Sequence, residues 1–212
     1  MDSIKIDSPY NNLISLKCTP GHFSTSSSHI NYFVDLTTLK SRASSAKAVA
    51  KAIASEYLVS TVVDTIICMD STNVIGAYLA DELTSSGFMC MNAHGTIYII
   101  TPGQTSTGLL HFTDNEIPMI RGKHVLLLVA TASTGNTVDK AMECIEYYGG
   151  EVMGVSAIFS AATEISGHKI NAVFHDTDIE GYASYPSREC PLCAQKQKLD
   201  GIITAGGGLA NL

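Results

Sequence analysis

The stretch Val125-Leu-Leu-Leu-Val-Ala-Thr-Ala-Ser-Thr-Gly-Asn-Thr137 decides how this chain is read. Its first half is apolar at every position, the pattern of a parallel strand covered on both faces, and Lys123 to Ala130 is therefore predicted as a buried strand. The second half is small and hydroxyl-rich, and it opens a helix predicted from Asn136 or Thr137 to Tyr148, closed by Gly149-Gly150. In open α/β sheets ligands sit beyond the carboxyl ends of the strands, and a helix amino end carries free N–H groups and a positive dipole. Ala132, Ser133, Thr134, Gly135, Asn136 and Thr137 are thus candidates to hold a phosphate. Ser133, Thr134 and Thr137 supply hydroxyls, and Gly135 lets backbone come close. The same residues read equally as an ordinary capped helix after a strand.

Outward from this stretch the pattern repeats. Ala46, Val49, Ala50, Ile53, Ala54 and Tyr57 recur at helical spacing after Ser41. Asp64 to Asp70 is a β-branched run, and Ser71-Thr72-Asn73 can then cap a helix with Ile75, Leu79 and Leu83 on one face. Gly95–Thr101, Glu151–Phe159 and Ile170–Phe174 are further predicted strands. Alternating strand and helix predict an α/β fold with a mostly parallel sheet. Residues 102–120 suit neither element and are expected to form a long loop, and 201–208 a flexible glycine-rich tail.

The 212 residues are 45% hydrophobic and 16% charged, enough for a substantial core. A net charge of −7 argues against a nucleic-acid partner, whose phosphates call for cationic surface. No apolar run approaches a membrane span, and the start lacks a basic segment followed by an apolar one, so a cytoplasmic protein without membrane or nucleic-acid partners is expected. Four of the six cysteines lie in apolar segments and read as reduced thiols. Cys190 and Cys193 have the spacing of half a zinc site, but His168 and His175 lack ligand spacing to complete it. A disulfide or two plain thiols are the other readings, and no metal site is expected.

Strand, then Ser-Thr-Gly-x-Thr, then helix, preceded by Arg121-Gly-Lys123, resembles the phosphoribosyl-diphosphate signature of the type I phosphoribosyltransferases. Gly21-His-Phe-Ser-Thr-Ser-Ser-Ser-His-Ile-Asn-Tyr-Phe-Val-Asp35 is similar to the amino-terminal segment of the orotate enzymes in that family, about one residue shorter. Cys190-Pro-Leu-Cys193 matches a late motif of many bacterial members. The resemblance implies a five-stranded parallel core over 41–178, a small hood built partly from 1–40, a carboxy-terminal extension at 179–212, and a homodimer. It also implies transfer of phosphoribosyl from its diphosphate to a base, with Mg2+ on the diphosphate if the protein is catalytic. Phe23, Ser27 and His29 would then lie near the base. Phe23 reads otherwise as a hood anchor, and His22 and His29 as hood packing.

Three departures from the family stand out. Where the family ends its strand in two acidic residues that hold the ribose, this chain has Val129 and Ala130, followed by Thr131. The expected cationic loop aligns with Ile100 to Gly108, and between Leu83 and Thr113 only His94 and His111 can become positive. The family's Gly-Gly after the first core strand is replaced by Asp70-Ser71-Thr72-Asn73. Beside a divergent orotate-type transferase, these departures imply an alternative: a catalytically silent relative binding a nucleotide or sugar phosphate.

Overall fold

The computed structural model describes residues 2–85, 91–92, 95–204 and 206–211. In chain order they form strands β1 (Ile4–Asp7), β2 (Ser15–Ser24) and β3 (Ser28–Asp35), then helices α1 (Thr37–Ser41) and α2 (Ala43–Ala54). Next come β4 (Thr65–Cys68), α3 (Asn73–Ser85), β5 (Tyr98–Ile100) and the small pair β6 (Gly103–Gln104) and β7 (Leu110–His111). The chain continues through β8 (His124–Ala132), α4 (Asn136–Tyr147), β9 (Glu151–Ser160), β10 (Glu164–Ile165) and β11 (His168–His175). It ends in β12 (Ser184–Pro186), α5 (Pro191–Ala194), β13 (Gly201–Ile203) and β14 (Leu209–Asn211).

The core sheet runs β5-β4-β8-β9-β11 with every neighbouring pair parallel, and β10 adds a short antiparallel edge. The all-apolar β8 explains why this sheet is central. Leu126, Leu128 and Ala130 point to the face covered by α2 and α3, while Val125, Leu127 and Val129 point to the face covered by α4. All six are essentially inaccessible to water. Burying each Val or Leu contributes about 1.5–3 kcal/mol, so a strand hydrophobic on both sides is stable only with helices on both. The predicted face of α3 is confirmed: Ile75, Leu79 and Leu83 are fully buried. Among the described residues no helix is long and apolar enough to cross a membrane.

A second sheet, β12-β3-β2-β13-β14 with β1 on β2, forms the hood. It joins the two ends of the chain: β13 lies parallel to β2, and β12 antiparallel to β3. The flexible tail expected over 201–208 is corrected here. Gly201–Ile203 is a paired strand, because its backbone completes the edge of β2 and Asp200 clasps the His22 backbone in both directions at 2.7 Å. Two lesser differences concern the other connections. The 102–120 loop contains the β6–β7 pair, too short to show alternation, and the strand expected over Gly95–Thr101 narrows to β5. His94 and Cys90 lie outside the described residues; the other five cysteines are free thiols.

Candidate phosphate site at the carboxyl edge of the core sheet

The carboxyl ends of β4, β5, β8 and β9 face the hood across a cleft of about 530 Å³. On its core side lie Ala130, Thr131 and Ala132 at the end of β8, then Ser133, Thr134 and Gly135 of the turn, then Asn136 and Thr137 of α4. Gly135 is the N-cap of α4 with φ +81°, a left-handed conformation that strains any residue with a Cβ. A Cβ there would also meet Ile165 Cγ2 at 3.0 Å. Since glycine has no side chain, no cap hydrogen bond blocks the first turn. The first amide of α4 bonded back to the turn is that of Asp139, to the Gly135 carbonyl at 2.8 Å. The amides before it point out of the helix end, as first-turn N–H groups must, and their residues border the cleft. Asp139, which would repel an anion, is instead hydrogen-bonded to Ser166 Oγ at 2.6 Å.

The sequence-chosen residues divide in space. Ser27 reaches the cleft from the hood hairpin, its Oγ 3.2 Å from Thr134 Oγ1, so the hood touches the turn at its tip. Phe23 does not border the cleft. It packs against Ile30 and Phe33 in the small hood core, which corrects its assignment to the base pocket. His29 is also off the cleft, beside His22. Asp70 and Ser71 border the cleft, both with positive φ (53° and 63°), whereas Thr72 is buried against the Met69 and Leu128 carbonyls and Asn73 bonds Thr101. Val129 is corrected as well. This side chain lies wholly under α4, whereas Ala130, on the opposite face of the strand, and the exposed Thr131 at its end border the cleft.

Sequence reasoning missed two cations. Lys40, from α1, and Lys140, on the second turn of α4, border the cleft; Asp70 is the sole carboxylate among the described lining residues. Lys40 Nζ donates to the carbonyls of Asp70 and Gly206, each at 2.9 Å. Burial pushes its ammonium below the usual lysine range, against the pull of Asp70 and Asp35. Burial pushes the Asp70 carboxyl up, although the Ala130 N–H and Lys40 oppose this. A Mg2+ ion is ordinarily held by one or two carboxylates together with substrate phosphates. A single desolvated carboxyl beside an ammonium does not fit that role. Away from the turn the cleft is apolar, floored by Ile30, Phe159, Tyr182 and Ile203, with Phe159 and Tyr182 edge to face at 5.2 Å. Only their assembly by the fold reveals this apolar half.

The Cys190–Cys193 pair is corrected too. The histidines that come near it are His22 and His29, not His168 or His175. A possible signal was the histidine pair flanking a Ser/Thr turn, which a hairpin brings to one side.

The parallel-rich α/β arrangement matches that of known structures. The chain has the type I phosphoribosyltransferase fold. It superposes on orotate phosphoribosyltransferase of Mycobacterium tuberculosis H37Rv, in complex with Fe(III) dicitrate, with TM-score 0.53 at 16% identity over 78% of this chain and 93% of that one. The same enzyme in complex with 5-phospho-alpha-D-ribosyl 1-diphosphate gives 0.52 at 16% identity, over 69% and 82%. Adenine phosphoribosyltransferase of Leishmania donovani gives 0.50 at 15% identity, over 84% and 89%. No family model and no curated protein matches the sequence. On the phosphoribosyltransferase fold seen here, the turn at 132–137 occupies the amino end of α4.

Proposed function

We propose that this protein binds a phosphate monoester carried on a ribose or nucleoside, and that it is silent toward the diphosphate donor. The observation that carries the reading is the uncapped amino end of α4, opening into a cleft whose charged lining residues, among those described, are Lys40, Lys140 and Asp70. Backbone amides and the Ser133, Thr134 and Thr137 hydroxyls suit three phosphoryl oxygens. The apolar floor of Phe159 and Tyr182 suits a planar base.

Ala130 and Thr131 supply no carboxylate to the ribose hydroxyls, and hydrogen bonds to charged groups are worth about 1.5–3 kcal/mol each. The 100–108 stretch contains no Lys or Arg to stabilise a departing diphosphate, a step that depends on charge positioned in advance. Both features favour binding over transfer.

Titration calorimetry with uridine monophosphate, ribose 5-phosphate and phosphoribosyl diphosphate tests the proposal. The monophosphates are expected to bind at least as tightly as the diphosphate, with no turnover when orotate and Mg2+ are added. Tighter donor binding with turnover would establish the transferase reading instead, and binding of no phosphate at all would remove both.

A further inference from the structure

The hood contains a cluster that the phosphate site does not use. His22 on β2, His29 on β3, Cys190 at the N-cap of α5 and Cys193 within that short helix bring one ligand atom each within 4.8 Å of all the others. We propose that these four residues form a closed structural zinc site that staples the carboxy-terminal segment to the hood hairpin.

Four of the six pairwise spacings lie close to those around a tetrahedral ion, and all six are within 4.8 Å. With Zn–N about 2.0–2.1 Å and Zn–S about 2.3 Å, tetrahedral angles place N···N at about 3.3 Å, N···S at about 3.5 Å and S···S at about 3.8 Å. Here His22 Nε2 lies 3.0 Å from His29 Nδ1, 3.5 Å from Cys190 Sγ and 3.7 Å from Cys193 Sγ, and Cys193 Sγ lies 3.3 Å from His29 Nδ1.

Direct hydrogen bonding accounts for the cluster poorly. His22 Nδ1 donates to the Gln197 carbonyl at 3.0 Å, which leaves Nε2 as a bare lone pair. One lone pair cannot satisfy three polar neighbours at 3.0–3.7 Å, whereas a cation at the centre satisfies all four groups together. The Nδ1–carbonyl bond is also the outer support that orients metal-bound histidines.

The donor set selects the ion. Two thiolates and two neutral imidazoles are soft-to-borderline ligands that suit zinc, and two thiolate charges balance its +2. His22 and Cys190 are buried, His29 is half-buried and Cys193 is exposed, so an ion can enter at Cys193. All four positions are filled by protein, the mark of a structural rather than a catalytic site. The hairpin end of the hood is lightly packed: among the described residues its separate buried cluster is Phe23, Ile30 and Phe33, whereas Leu16, Cys18 and Val34 of the same strands join the main core, so a metal staple there has a small cluster to reinforce.

The full chain, stripped with a chelator under reducing conditions and then titrated with Zn2+ or Co2+, tests the site apart from any phosphate binding. The expected result is one ion per chain, the visible absorption of tetrahedral cobalt–thiolate, and two thiols protected from a thiol reagent by zinc. Cys193→Ser, at an exposed position, is expected to weaken zinc binding by roughly 100-fold or more while circular dichroism stays unchanged. A folded, stripped chain that takes up neither ion stoichiometrically overturns the proposal. So does a Cys190–Cys193 disulfide that forms equally well with zinc present. If Cys193→Ser fails to fold, the cobalt spectrum and thiol protection of the unaltered chain still decide the matter.

Discussion

Asp70 sits where the cleft would hold an anion, in a left-handed backbone conformation, with its carboxyl pushed above its ordinary value of 3.8 by burial. An acid whose folded value is raised holds its proton more tightly when folded. Its stabilisation is therefore greatest below about pH 4 and disappears as pH rises through the folded value. Asp70→Asn should accordingly melt about 2–4 °C higher at pH 7, with the gain vanishing in acid, and Asn tolerates positive φ. It should also bind ribose 5-phosphate several-fold more tightly by calorimetry; weaker binding would place the anion elsewhere. Val129 and Thr131 give a second contrast. Val129→Asp introduces an uncompensated charge beneath α4 and should cost roughly 3–5 kcal/mol in urea unfolding, whereas Thr131→Asp, exposed near the strand end, should stay within about 0.5 kcal/mol. The family resemblance sets Val129 and Ala130 at the positions of the family's acidic pair. It could not tell which side of the strand each position faced, because an all-apolar run carries no alternation.

At the scale of elements, β8, its turn and α4 were legible almost entirely from composition. Continuous hydrophobicity specifies a strand buried on both faces, and Gly135 before Asn-Thr marks the helix start. What composition lacked was Lys40, which reaches the cleft from α1 only after the chain crosses over the sheet edge. The turn itself makes a sharp prediction. Gly135→Ala puts a Cβ into a left-handed site 3.0 Å from Ile165 Cγ2, at a cost of about 1–2 kcal/mol. If strain reopens the turn, ribose 5-phosphate affinity should fall by about tenfold, equivalent to about 1.4 kcal/mol, while the far-ultraviolet circular dichroism stays native. Undiminished affinity would mean that the amides of this turn do not hold the phosphate. At the other end of β8, Asp64 accepts from the His124 backbone and ring, both at 2.8 Å. Burial raises its carboxyl, but those bonds and the nearby His124 and Lys123 outweigh burial and hold it below 3.8. A lowered acid stabilises above its unfolded value and loses that effect as pH falls through its folded value. Asp64→Asn should therefore weaken the fold at neutral pH and narrow the difference from the unaltered chain below about pH 4, as followed by thermal melts.

Across the whole molecule, the hood is a sheet drawn from both ends of the chain, and this was the least legible feature. Pairing of Gly201 with Phe23 leaves no local pattern, and the glycines at 206–208 imitate a loose tail. The proposed zinc site makes that long-range closure testable as a division of labour between the two sheets. Zinc present at about 100 times its dissociation constant stabilises the folded chain by about 2.7 kcal/mol, so chelation should lower the melting temperature by roughly 5–10 °C. The loss should not be uniform. Hydrogen exchange should accelerate in β13 and in the hairpin ends of β2 and β3, where the separate cluster is small, while β4, β8 and β9 keep the protection of helices on both faces. Ribose 5-phosphate should then bind more weakly but still measurably, since α4 and its turn remain in place and only the Ser27 contact is released. Exchange that quickens equally in both sheets would show that hood and core unfold as one unit, with the ion supporting the entire fold rather than its cover.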